Sequence, residues 1–177
     1  MKPLKNILIL LCSILMLAAS CKKEKAKNPI DDLPPATQTG ANTFGCLING
    51  EIWKPKGGLL DRTLDLSYDP GYMGGTFNVI ANRFLSQGVS ERITIASYNL
   101  QSTGSFVISK NKVGINFRKS DCAYLSDEVD NIQSGILIIT RLDLQAKIIS
   151  GTFNFKLEKT GCPTIIATEG RFDLPIE

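Results

Sequence analysis

Residues 135–158, with the sequence GILIITRLDLQAKIISGTFNFKLE, are the part of the chain that decides its fold. In the first half, Ile136 and Ile138 share one face of an extended chain, and Leu137 and Ile139 share the other. In the second half, one face carries every second residue, namely Ile149, Gly151, Phe153, Phe155 and Leu157. This pattern predicts a β-hairpin with its turn at residues 143–147. The first arm is expected to be central in its sheet and buried on both faces.

Further strands are predicted on both sides of this hairpin. Asn49-Gly50 lies between two apolar pairs, which is the pattern of a tight hairpin whose turn residues need positive φ. We find no convincing amphipathic helix. The other predicted strands cover residues 63–68, 77–82, 92–98, 105–109, 113–118, 164–167 and 170–174. The fold class is therefore all-β, a single antiparallel β-sandwich or flattened β-barrel of about 9–10 short strands, and periodicity does not choose between the two.

The first twenty residues have the layout of an export signal. Lys2 and Lys5 precede an uncharged apolar run over residues 7–19, which is shorter than the roughly 20 residues that a membrane-spanning helix needs. Small residues stand before Cys21, in a stretch that resembles the lipobox of bacterial lipoproteins, with Ala18 where leucine is commoner. We expect residues 1–20 to be a lipoprotein signal peptide and Cys21 to carry the lipid, which makes a membrane the first predicted partner.

Residues 21–40 are predicted to form the lipidated cysteine and a flexible tether. The stretch is charged, then rich in proline and small polar residues, with Ile30 and Leu33 as its only sizeable apolar side chains. Such a composition buries too little surface to offset the entropy of ordering the chain. Residues 41–177 remain as one all-β domain.

Charge and composition exclude several classes of function. From residue 41 onward, 14 Lys and Arg side chains balance 14 Asp and Glu side chains, so the domain offers no electrostatic footprint for nucleic acid. The chain contains no histidine, which removes Ser-His-Asp catalysis and His-ligated zinc. We expect no cofactor and no metal.

Three cysteines remain once Cys12 leaves with the signal and Cys21 carries lipid. Cys122 lies upstream of the first hairpin arm and Cys162 follows the second, so both fall near the same end of the hairpin. We predict a Cys122–Cys162 disulfide in an export compartment that permits it. The alternatives are a bridge that includes Cys46 and a three-thiolate zinc site, which lacks an evident fourth ligand.

Two stretches of the domain resemble a family of small uncharacterised Bacteroidota lipoproteins. They are residues 42–55, NTFGCLINGEIWKP, and the ending 168–173, TEGRFD, with support from residues 149–153, ISGTF. The resemblance implies an all-β fold of unknown function and a location in the cell envelope, in keeping with a lipid anchor in the outer membrane. It leaves open whether the domain faces the periplasm or the cell surface, and it supplies no catalytic residue.

Several groups of carboxylates are candidates for chemistry. One strand face carries Asp61, Asp65 and Asp69, whose carboxylate oxygens suit a calcium ion. A polar loop carries Asp127, Glu128 and Asp130, and paired carboxylates of this kind suit glycoside hydrolysis. Exposed strand faces and surface loops also collect such residues, and this is the expected interpretation of both groups. Glu169, Arg171 and Asp173 alternate along the last predicted strand and are expected to pair with charges on a neighbouring strand.

Aromatic side chains are the candidates for ligand contact. Tyr72 lies in the Gly-rich loop of residues 71–75 and is the better candidate for an exposed contact. Trp53 is the second candidate, with hairpin packing as its expected role. The leading hypothesis is a non-catalytic lipoprotein domain that binds a small molecule, a glycan or an envelope protein. The alternatives are a carboxylate-based hydrolase acting on glycans and a purely structural envelope component.

Overall fold

A computed structural model describes residues 28–85, 89–110, 112–119 and 121–176, so the predicted signal peptide and Cys21 lie outside the described residues. A short 3-10 helix, Pro29–Asp32, comes first, and eleven strands follow it. The strands are β1 Thr43–Ile48, β2 Glu51–Trp53, β3 Leu64–Asp69, β4 Thr76–Phe84, β5 Ser90–Ser97, β6 Gly104–Val107, β7 Val113–Lys119, β8 Cys122–Tyr124, β9 Asn131–Asp143, β10 Ile148–Lys159 and β11 Ile165–Pro175.

The strands form two antiparallel sheets that pack face to face as a β-sandwich. The six-stranded sheet has the order β2-β1-β11-β10-β9-β6, and the five-stranded sheet has the order β3-β4-β5-β7-β8. The predicted all-β class is confirmed, and the structure chooses the sandwich over the closed barrel. The short strand β8 was missed, because three residues are too few to show an alternating pattern.

The core between the sheets is built from the inward-facing side chains of both. Aromatic rings make many of its contacts, such as Phe77 of the five-stranded sheet against Phe172 of the six-stranded sheet, with ring centroids 5.8 Å apart. Along β5 and β7, Ile93 and Ile95 are paired with Phe117 and Ile115, and all four are fully buried. Alternation of period two therefore points one face of each strand into the core, as the sequence indicated.

The hairpin of residues 135–158 is present, and one part of its prediction was wrong. Strands β9 and β10 pair over their whole length and are joined by the turn at residues 144–147. Leu137 and Ile139 are buried, whereas Ile136 and Ile138 are about two fifths exposed. The first arm is thus buried on one face only, because the described part of the chain forms two layers and places no third one over the outer face of this strand.

The Asn49-Gly50 turn joins β1 to β2 as predicted. Both residues take positive φ, 50° at Asn49 and 86° at Gly50. The Asn49 side chain also accepts a hydrogen bond from Ile166 N and donates one to the Thr164 carbonyl, at 2.7 and 3.0 Å. The turn is therefore fixed to the start of β11 as well as to its own strands.

Strand β11 unites two strands that were predicted separately, over residues 164–167 and 170–174. Its pairing with β10 skips from Phe153–Gly170 to Phe155–Ala167, and its pairing with β1 shifts at the same place. Glu169 takes a φ of 56° there, which identifies a β-bulge. The two residues between the predicted strands, Thr168 and Glu169, are thus not a break: they form the bulge of one continuous strand.

Residues 33–41, which we call the strap, lie against the outer face of the six-stranded sheet. Leu33 is buried, and Pro34 lies so close to Gly45 that a Cβ on Gly45 would come within 2.8 Å of it. The flexible tether predicted up to residue 40 therefore differs from the structure, in which the folded part begins by residue 28. The carboxylate that accepts hydrogen bonds from the strap belongs to Asp173, more than 130 residues further along the chain, so local composition did not reveal it.

Cys122 and Cys162 are joined by a disulfide, with their Cα atoms 6.0 Å apart. This is the pairing expected from the sequence. The third cysteine of the domain, Cys46, is free and fully buried. Burial raises the pKa of the Cys46 thiol to about 12, although the charge of Arg83 opposes the shift. A protonated, buried thiol does not compete for disulfide exchange.

Candidate functional site

The outer face of the six-stranded sheet is covered at one end and open at the other. At the covered end, the Asp173 carboxylate accepts hydrogen bonds from the strap at Thr37, Thr39, Gly40 and Ala41. Beyond the strap, the strands β9, β10 and β11 show their outer side chains to solvent. The strap therefore borders this uncovered surface on the same face of the sheet.

The uncovered part of this sheet carries exposed apolar side chains, and no other element of the described residues packs over them. We call it the open face, and it is defined by Val107, Ile132, Ile136, Ile138 and Ile166, which are 56%, 65%, 41%, 40% and 45% exposed, respectively. Val107 of the edge strand β6 is paired with Ile136, which places both side chains on the same side of the sheet. Val107, Ile136 and Ile138 therefore form a contiguous aliphatic patch at the β6 edge.

Two shallow depressions run along the open face. One, of about 390 Å³, lies between Ile136, Ile138, Thr152 and Arg171 and is bounded by Ala36 of the strap. The other, of about 420 Å³, continues past Ser134 and Ile166. Both are lined by Asn154 and Glu169, so together they form a single groove across three strands.

The charges beside the groove are paired with one another. Arg171 Nη2 is 2.9 Å from Glu169 Oε2, within the β11 bulge. Lys156 Nζ is 2.8 Å from Glu158 Oε1 on β10. Glu169 and Arg171 thus pair within their own strand, contrary to the expectation of cross-strand pairs, since residues two apart on a strand point to the same side. An aliphatic patch with neutralised charges around it is typical of a protein-binding surface.

Trp53, the second candidate for ligand contact, is fully buried in the core, which excludes that contact and agrees with its expected role in hairpin packing. Its indole Nε1 donates a 2.8 Å hydrogen bond to the buried carboxylate of Glu91, which also accepts from Arg83. Burial alone would raise the pKa of Glu91, but the hydrogen bonds and charge of Arg83, with help from Trp53 and Lys119, hold this pKa below its ordinary value. A tryptophan in this position packs the hairpin against the second sheet and carries no ligand.

Tyr72, the other predicted contact, is 59% exposed. The loop that carries it is fixed by the Asp69 carboxylate, which accepts hydrogen bonds from Gly71 N and Tyr72 N at 2.8 and 3.2 Å. The backbone of Asn99 also bonds to Met73, so the exposed Tyr98 lies on the loop next to Tyr72. The sequence thus identified one exposed aromatic but not the second loop beside it.

The carboxylates of the first candidate group hold local structure. Asp61 accepts a hydrogen bond from Gly58 N, Asp65 forms an ion pair with Arg62, and Asp69 fixes the Tyr72 loop. These three do not converge on one point. Within the described parts of the chain, no group of three or more His, Cys, Asp or Glu residues lies close enough to hold a metal ion.

The second carboxylate group lies on the surface loop before β9. Asp127 and Asp130 are exposed, and Glu128 Oε2 is 2.6 Å from Lys159 Nζ. The hydrogen bond from Lys159 lowers the pKa of Glu128, and burial opposes this shift. Glu128 therefore pairs with a base on β10 and does not face a second acid.

Sequence reasoning missed the open face itself. The alternation of Ile136 and Ile138 was seen, but an apolar strand face gives no sign of whether another layer covers it. No helix among the described residues has the length and apolar content to cross a bilayer. Comparison of the chain with protein-family models, curated proteins and solved structures gives no significant match to any of them.

Proposed function

We propose that this protein is a lipoprotein of the cell envelope, anchored through Cys21, whose domain is a non-catalytic interaction module that binds an envelope protein on its open face. The observation that carries the proposal is the aliphatic patch of Val107, Ile136 and Ile138 on an uncovered sheet face. Contiguous apolar surface of this kind is costly to leave in water, and it is commonly retained for binding.

The chemistry of the patch favours a protein over a glycan. Sugars are held mainly by aromatic rings that stack on them and by polar groups that orient them. The open face presents branched aliphatic side chains, while the exposed rings Tyr72 and Tyr98 lie on loops elsewhere. A glycan therefore remains the second candidate ligand, with the Tyr72 loop as its site. The hydrolase alternative has little support from the carboxylates, because Glu128 pairs with Lys159.

The strap supports a domain that works close to its membrane. Six residues lie between Cys21 and Asn28, the first described residue, and the seven Cα–Cα steps of that stretch span at most about 25 Å when fully extended. The predicted tether of residues 21–40 would reach much further. A domain held at this distance is suited to a partner that is itself in or near the membrane.

Lipid attachment is tested on Cys21 with Cys12 as the matched control. We expect Cys21→Ser to abolish incorporation of radiolabelled palmitate and to leave the signal uncut, because the thiol is the acceptor and the cleavage signal includes it. Cys12→Ser should label and process as the native chain does. Labelled or normally processed Cys21→Ser protein would refute the anchor.

The open face is tested by site-specific crosslinking in cells. A benzophenone amino acid at Val107 or Ile138 should give one discrete protein adduct, and the adduct at Val107 should be lost when Ile138→Asp is added. The same probe at Leu59, which is fully exposed in a loop outside the open face, is the control. Equal adducts at Leu59 and Val107, or none at either, would contradict the protein-binding proposal. Polysaccharide binding that depends on Tyr72 would favour the glycan.

A further inference from the structure

Two arginines lie directly opposite each other on the outer face of the five-stranded sheet. Arg92 of β5 is paired with Arg118 of β7, and both side chains are exposed on the side of the sandwich away from the open face. Like charges at directly opposed positions of a sheet destabilise it. The pair therefore costs stability in the absence of an anion.

No carboxylate within the described residues forms an ion pair with either arginine. Arg92 Nε donates a 2.7 Å hydrogen bond to the side-chain oxygen of Asn82, and its other guanidinium nitrogens have no hydrogen-bond partner within the described part of the chain. Glu128 lies near enough to feel the charge of Arg118, but its carboxylate is bonded to Lys159. Two positive charges thus remain unneutralised at one spot.

Both arginines line a small pocket. It has a volume of about 200 Å³ and is lined by Arg92, Thr94, Asn116, Arg118 and Leu125. Asn116 Oδ1 accepts a 2.6 Å hydrogen bond from Ser126 N, so the amide nitrogen of Asn116 is the group left for another partner. The lining offers two guanidinium groups, an amide and a hydroxyl, and no acid.

We propose that this pocket binds a phosphate group. Two guanidinium groups match the charge of a dianion. Their planar sets of N–H donors, together with the Thr94 hydroxyl and the Asn116 amide, suit a tetrahedral oxyanion with several acceptor oxygens. A free phosphate ion and the phosphomonoester of a small molecule or lipid headgroup share this chemistry. The site does not depend on the open face, so each proposal can fail without the other.

The test is calorimetric titration of the full-length protein in a non-ionic detergent at low ionic strength. We expect saturable binding of inorganic phosphate with Kd on the order of 1 mM, weakened at least about tenfold in Arg92→Gln and in Arg118→Gln. Arg62→Gln is the matched control, since it removes the same charge from an exposed side chain elsewhere. Circular dichroism checks that each variant is folded.

Two further ligands identify the source of the phosphate. Tighter binding of glycerol 3-phosphate than of inorganic phosphate assigns a phosphomonoester headgroup, and the reverse order assigns the free ion. Glycerophosphocholine, a diester with a single negative charge and a choline cation, should bind more weakly than either. Absence of saturable binding of both inorganic phosphate and glycerol 3-phosphate, or unchanged binding in Arg92→Gln and Arg118→Gln, would overturn the proposal.

Discussion

Replacing Asp173 with alanine should lower the free energy of unfolding by about 3–5 kcal/mol, because hydrogen bonds to a charged group contribute about 1.5–3 kcal/mol each and the strap can regain only part of them from water. Asp173 is almost completely buried. Its carboxylate accepts six hydrogen bonds, from Thr37 Oγ1, Thr39 N, Thr39 Oγ1, Gly40 N, Ala41 N and Ser150 Oγ.

Urea unfolding of the two proteins measures the loss, and amide hydrogen exchange locates it. Thr39, Gly40 and Ala41 donate backbone hydrogens to Asp173, so these three amides should lose protection in the variant. Asp69→Ala is the control, since Asp69 also accepts two backbone hydrogens but at an exposed site, and it should cost about 1 kcal/mol. Unchanged exchange at the strap would show that Asp173 does not hold it.

The effect of Asp173 should depend on pH with a definite sign. Burial alone would raise the pKa of Asp173, but hydrogen bonds from Thr37, Ser150 and the strap amides hold this pKa far below its ordinary value of 3.8. The stabilisation is therefore fully present above about pH 4 and is lost as the pH falls toward the pKa of the folded state. Stability of Asp173→Asn should approach that of the native protein as the pH falls below 4.

The parts of the fold that the sequence predicts are those set by local pattern. Alternation located most strands, and Asn49-Gly50 identified a turn because few residues accept positive φ. Burial of the outer face of the six-stranded sheet cannot be predicted from local pattern, because it depends on which distant segments pack against that face. The strap reaches it through Asp173, and nothing near residue 40 in the sequence indicates this partner.

Among the candidate site residues, too, those set by local pattern were predicted and those set by distant contacts were not. Cys122 and Cys162 could be paired because both flank one hairpin whose geometry was already predicted. Trp53 was expected to pack its hairpin, but its partners Glu91 and Arg83 could not be predicted because they lie in the other sheet. The pairing of Arg92 with Arg118 also cannot be predicted until the strand order is known, because β5 and β7 are not consecutive strands.

Removal of the disulfide by Cys122→Ala together with Cys162→Ala should cost about 4 kcal/mol in the chain-entropy model. The bond closes a loop with a sequence separation of 40. It links β8, a three-residue strand at the edge of the five-stranded sheet, to the connection between β10 and β11 in the other sheet. The unbridged chain gains freedom mainly in the unfolded state, so the loss appears in the unfolding midpoint.

A reducing agent supplies the internal control for this prediction. Dithiothreitol should lower the urea midpoint of the native protein to that of the double variant and leave the double variant unchanged. The Tyr124 hydroxyl donates to the Pro163 carbonyl and Lys159 Nζ to the Ala123 carbonyl across the same junction in both proteins, so the comparison isolates the bridge. A native protein whose midpoint is insensitive to reduction would contradict the prediction.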